Sequence, residues 1–145
     1  MTEELKKVIK DDEVAVIYHP NFGIGWYTHF CWIKQLLFDP KLVEIILHPN
    51  YKTNRYNDYY RKQHNLKFDE ELHKKVKDYI EEVNNRNYII PYGRMKGNKY
   101  TMFYDIIYEL DIYWVPVGEK FTIENYDGQE TVFILDDNEF IWVTA

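Results

Sequence analysis

Four apolar residues follow one another from Val14 to Ile17, inside the stretch EVAVIYH. An unbroken run of β-favouring residues, bounded by polar ones, predicts a buried strand. The pattern then changes period. In THFCWIKQLLF the apolar residues Trp32, Ile33, Leu36 and Leu37 recur at helical spacing, with Thr28 placed as an N-cap. FDPKLVEIIL restarts a helix with Asp39 as cap, Pro40 at its first position and Leu42, Ile45 and Ile46 as the apolar face. FDEELHKKVKDYIEEV predicts a longer helix, capped by Asp69, with Leu72, Val76, Tyr79, Ile80 and Val83 as one stripe.

Between these helices the stretch from Pro49 to Lys67 breaks the pattern. It is polar, basic and tyrosine-rich, with few aliphatics, and predicts an irregular insertion or a loosely packed helical arm. The first twelve residues form a polar lead-in or a short helix, and NNRNYIIPYGRMKGNK is a loop with a short strand at YII. The last third alternates more tightly: DIYWVPV, KFTIENY, ETVFIL and FIWVT are successive strands, and the Asp127-Gly128 pair supplies a two-residue hairpin turn. One early strand, a helical middle and a C-terminal β-meander give an α+β fold. The expectation is a single domain over 1–145, with about three helices on an antiparallel or mixed sheet.

Composition agrees with a packed core, since 46% of residues are hydrophobic. Rings carry much of it: 14 Tyr and 4 Trp bury large areas, yet each polar tip needs a partner. Charge is uneven. Residues 101–145 hold one lysine, Lys120, against ten carboxylates, although the whole chain is only −6. This asymmetry fits either a partner-facing acidic surface or merely solvated acidic positions on the last strands. The single cysteine, Cys31, excludes an intrachain disulfide, and no apolar stretch is long enough for a membrane span. A cytoplasmic protein with no membrane contact is expected, with a homo-oligomer left open by the exposed rings and the edge strand FIWVT.

Candidate chemistry concentrates at YHPNFGIGWYTHF, where glycines and large rings meet between a strand and a helix. The pair Gly23 and Gly25 resembles part of a phosphate-cradling loop, but the residue three after Gly25 is Thr28, and no Lys-Ser/Thr pair follows. Two readings stand: a tight turn plugged by Phe22 and Trp26, or a ligand loop. In the second, Gly23 and Gly25 offer backbone amides, Phe22 and Trp26 stack, Thr28 offers its hydroxyl, and Tyr18 and His19 flank the ligand. Five histidines show no two-ligand spacing on one helix, so neither metal nor cofactor is expected. The chain contains no serine, which excludes a serine nucleophile, and the paired carboxylates sit at turns and helix ends. A small enzyme using His19 or His29 is the least favoured class. The basic tyrosine arm has the composition that single-stranded nucleic acid prefers, but the acidic balance of the chain argues against nucleic acid as a partner.

Two segments together resemble a family of small proteins common in bacteriophage genomes. They are VAVIYHPNFGIGWYTHF with LLFDPKLVEIIL near the start, and LDIYWVPVGEKFTIENYDGQETVFILDDNEFIWVTA at the end. The family pattern is an early strand, a GFG-x-GW-x-T loop, an LFDP helix, a W-V/I-P-x-G strand, an acidic YDG-x-E hairpin and a final acidic-aromatic strand. The likeness covers roughly the first and last thirds, and the stretch from Pro49 to Lys67 departs from it as an insertion. No settled enzymatic role attaches to this family. The resemblance implies a phage accessory protein in a bacterial host cytoplasm that counters host defence without catalysis, by sequestering a nucleotide-like signal or by gripping a host defence protein. It implies ligand contacts at Phe22, Gly23, Gly25, Trp26 and Thr28, and partner contacts at Tyr126, Asp127, Gly128 and Glu130. Glu124 joins the second set if the acidic surface mimics nucleic acid.

Overall fold

The computed structural model describes residues 6–21, 26, 34–85, 107–127, 129–135 and 143–144. The first elements among the described residues are β1 (Ile9–Lys10) and β2 (Glu13–Tyr18), a hairpin that occupies part of the stretch expected as a lead-in or short helix. Its turn is Asp11-Asp12, with φ of 52° and 63°. Aspartate tolerates this left-handed region better than most side chains, and two such residues in succession match the strand twist of a tight hairpin. Helices α1 (Lys34–Phe38), α2 (Pro40–Leu47), α3 (Tyr51–Arg55), α4 (Asp58–Gln63) and α5 (Glu70–Asn85) follow, and then β3 (Asp111–Pro116), β4 (Lys120–Tyr126), β5 (Gln129–Ile134) and β6 (Val143–Thr144).

The class is α+β, and the strands divide into two antiparallel sheets, β1-β2-β3 and β5-β4-β6. The division falls at the turn Pro116-Val117-Gly118-Glu119. There the Glu119 N–H donates to the Pro116 carbonyl at 3.1 Å, and Gly118 takes φ 86°. That is the glycine position of a type II turn, which a β-carbon would strain even though the space around it is open. The chain therefore leaves the first sheet after β3, which pairs with β2 from Glu13↔Pro116 to Tyr18↔Asp111, and starts the second with β4.

Strand β2 has both faces buried, which explains its unbroken apolar run. Ala15 and Ile17 face a core shared with Leu42, Val43, Ile45 and Ile46 of α2 and with the whole expected stripe of α5. Val14 and Val16 face a second core with Leu37, Phe38, Val115, Phe121 and Val132. The first sheet thus lies between a helical layer and the second sheet. Each fully buried aliphatic or aromatic side chain contributes about 1.5–3 kcal/mol of transfer free energy before entropy is counted.

The caps act as their residue types require. Asp39 accepts the Lys41 N–H at 3.0 Å, and its other carboxylate oxygen takes the Tyr79 hydroxyl at 2.9 Å. Asp69 accepts the Leu72 N–H at 2.9 Å at the start of α5. The expected N-cap Thr28 and the expected strand at YII lie outside the described residues. Of the two expectations for the tyrosine-rich stretch, the helical arm holds: it forms α3 and α4, and no residue of α4 is buried. Tyr51 from α3 is fully buried, donating its hydroxyl to the Ile107 carbonyl at 2.6 Å and accepting the Leu110 N–H at 3.0 Å. Burial pushes the Tyr51 hydroxyl far above the usual tyrosine range.

Candidate functional site

His19 stands at the start of the strand-to-helix junction, directly after β2. Its backbone N–H donates to Glu130 Oε1 at 2.9 Å, and its carbonyl accepts the Glu130 N–H at 2.7 Å. Its ring Nε2–H donates to Glu109 Oε2 at 3.0 Å. The end of β2, the start of β5 and the turn before β3 therefore converge on one residue, and two segments far apart in sequence meet there. His19 is completely enclosed, whereas the Glu109 side chain is 42% exposed. Solvent reaches this pair only from the carboxylate side, so the imidazole serves as a tie between elements.

Tyr18, just before it, is half-buried and packs edge-on against Tyr113 at 6.2 Å. Burial first, then the Asp111 carboxylate and Tyr113, raise the Tyr18 hydroxyl above its ordinary value. Trp26 is fully buried, and its indole N–H donates to the Leu36 carbonyl at 3.2 Å. The expected stacking ring is a core side chain with its polar tip satisfied, because the helical layer closes over it. Phe22, Gly23, Gly25, Thr28 and His29 lie outside the described residues.

On the hairpin, the register Tyr126↔Gln129 leaves two residues in the turn, with Asp127 at φ 50°. Gly128 lies outside the described residues. Opposed residues of an antiparallel pair share a face. Thr122↔Phe133, Glu124↔Thr131 and Tyr126↔Gln129 therefore point one way, and Phe121↔Ile134, Ile123↔Val132 and Asn125↔Glu130 the other. The first set faces solvent, with Tyr126 70% and Phe133 44% exposed and Glu124 exposed beside them. Glu130 is 2% exposed and turned inward, so it belongs to the His19 tie and not to the outer face. Strand alternation puts it on the side of the buried Val132.

Two further features carry chemistry: a groove that the sequence left unmarked, and the basic tyrosine arm that its composition singled out. A groove of about 270 Å³ lies between α2 and α5, floored by Ile45, Leu72 and Tyr79. It is rimmed by both signs of charge, and Lys41 pairs with both carboxylate oxygens of Glu82 at 2.8 Å. On the α3–α4 arm, the rings of Tyr56, Tyr60 and His64 form a ladder with centroid spacings of 4.2 and 4.1 Å. Tyr60 and His64, at the end of α4, are four residues apart, a spacing that helix geometry aligns, while Tyr56 reaches the ladder from the extended link before α4.

Among the described residues no group of three or more His, Cys, Asp or Glu side chains is placed to hold a metal ion, and no helix is long and apolar enough to cross a membrane. Comparison with known proteins finds no matching family model, no matching curated protein and no matching solved structure. Any functional reading of this chain therefore rests on its own residues.

Proposed function

We propose that this chain is a non-enzymatic binding protein of phage type, which counters host defence by gripping a host protein through the outer face of the β4–β5 hairpin. The observation that carries the reading is the joint exposure of Glu124, Tyr126 and Phe133 on one face of a two-stranded ladder, with Asp127 exposed at its tip. Rings with adjacent carboxylates suit a basic protein surface: aromatic anchors supply affinity and charge supplies orientation and steering. The C-terminal third as a whole is acidic, with one lysine against ten carboxylates. Sequestration of a nucleotide-like signal by the glycine-aromatic loop is less favoured, because stacking needs an accessible ring and Trp26 has none. Catalysis through His19 is disfavoured by the enclosure of its ring against Glu109.

The test is the double charge reversal Glu124→Lys with Asp127→Lys. Both positions are exposed; lysine suits the φ of 50° at Asp127 less well than aspartate does, so circular dichroism checks the fold and Glu124→Lys alone, at an ordinary strand position, is run beside the double variant. Wild-type protein produced in defended bacteria should raise the plaque count of a restricted phage and co-purify with a discrete host protein at low salt. The reversed variant should lose both properties. Full protection by the reversed variant would remove the hairpin from the mechanism.

A further inference from the structure

The α3–α4 arm has the opposite chemistry from the hairpin. From Tyr51 to Lys67 it carries five cationic side chains and one carboxylate, Asp58. The structure shows how that balance is used. Arg61 donates to the Asp58 carboxylate and to the Tyr56 carbonyl, and its guanidinium lies over the Phe68 ring, 4.8 Å from the centroid. One cation is thus spent holding the arm together, and it engages the arm's single carboxylate. Lys52, Arg55, Lys62 and Lys67 form no ion pair with any described residue. Four positive charges remain within one short segment.

Three of the arm's four tyrosines are displayed as well. No residue of α4 is buried. Tyr56 is 36% exposed, Tyr60 39% and Tyr59 73%, and the ladder of Tyr56, Tyr60 and His64 stands on a fixed scaffold in which Asn57 caps α4 by accepting the Tyr60 N–H at 2.8 Å. A ring packed into a core needs no such arrangement, and Tyr51 shows what a core tyrosine looks like in the same arm. Planar faces set among unneutralised cations match a ligand with both a π-face and phosphate: the base stacks, and the lysines and arginine take the anion.

We propose that the α3–α4 arm binds nucleobase-phosphate ligands, stacking a base on the exposed Tyr59 ring and the outer face of Tyr56 at the end of the ladder, and holding phosphate with Lys52, Arg55, Lys62 and Lys67. Free nucleotides and single-stranded nucleic acid share this chemistry. The site is independent of the hairpin surface, and the Glu124→Lys, Asp127→Lys variant keeps it.

The experiment measures anisotropy of a labelled oligothymidine of roughly twelve nucleotides, with a duplex of equal length as control and calorimetry with ADP beside it. The full chain should bind the single strand, ADP, or both, and bind the duplex more weakly. Oligothymidine binding without ADP binding identifies the strand as the source, and the reverse identifies a free nucleotide. Tyr59→Ala, at a side chain too exposed to support the fold, should weaken binding by roughly ten-fold. Tyr59→Trp should preserve it, and Lys62→Glu should weaken it and flatten its salt dependence between about 50 and about 200 mM. Measurable binding of the single strand with equal affinity for the duplex would overturn the stacking site. So would unchanged affinity in Tyr59→Ala, or no binding of either probe by the wild-type chain.

Discussion

At the scale of single residues, Trp26 decides what the glycine-aromatic junction is. Its ring is wholly enclosed beside Leu36, Leu42 and Ile17, and its indole N–H is satisfied by a backbone carbonyl. Truncating such a side chain removes a large buried area and leaves a cavity that the neighbours fill only in part. Trp26→Ala should lower unfolding free energy in urea by about 3–5 kcal/mol. A ligand-facing tryptophan would give a folded variant of near-normal stability, so an unchanged urea midpoint would contradict the buried placement. The sequence could not decide this, because glycines beside rings are equally suited to a plugged turn and to a ligand loop. Asp39 and Asp69 were legible for the opposite reason. A carboxylate before a periodic apolar run has one dominant local use, accepting the free N–H groups of a helix start. Glu109 escaped notice because its role depends on His19, ninety positions away in sequence.

At the scale of elements, legibility followed the strength of the period. Helix α5 was readable because five stripe residues recur at helical spacing, and all five are buried. The short helices α3 and α4 carry too few aliphatics to show a period. Tyr51 anchors α3 in the core, while α4 is held by the Asn57 cap, the Arg61 contacts and ring-on-ring packing. The β1–β2 hairpin was missed because Asp-Asp signals solvation or capping as readily as a left-handed turn. The β4–β5 turn was found because Asp-Gly is specific for that geometry. Asp127 holds φ 50°, a region where a β-branched side chain is strained. Asp127→Val should destabilise the hairpin by about 1–2 kcal/mol, seen as a lower thermal midpoint and faster amide exchange in β4 and β5. Asp127→Gly should restore both. Equal exchange in the valine variant would show that the turn does not govern the hairpin.

At the scale of the whole molecule, the layers are tied by groups whose titration sets the pH range of stability. His73 on α5 pairs through Nδ1 with the Tyr108 hydroxyl at 2.9 Å, and Asn54 donates to that same hydroxyl at 3.4 Å, so helices α3 and α5 are joined to the turn before β3. Burial first, and then Lys77, hold the His73 imidazole below its ordinary value of 6.5, against an opposing pull from Glu70. A folded state that resists protonation binds fewer protons than the unfolded chain once pH falls below that value. Stability from His73 is therefore complete above pH 6.5 and is lost as pH falls towards its folded value. Asp69 adds a second, more acidic step. The Leu72 N–H, and then Asn50, hold its carboxyl below the ordinary 3.8, so its contribution is present above that pH and disappears below it. Tyr51 and Tyr18 bound the alkaline side. Burial raises both hydroxyls, the unfolded chain ionises first, and stability falls as pH rises past 10. The urea midpoint should thus be flat between about pH 7 and 9, drop first below about 6.5, and drop again below about 4. The variant His73→Gln keeps an acceptor for the Tyr108 hydroxyl but has no ionisable ring, and it should erase the first acid step while leaving the second and the alkaline limb in place. An unchanged first step in that variant would assign it to another histidine, and the tie between α5 and Tyr108 would then carry no pH dependence.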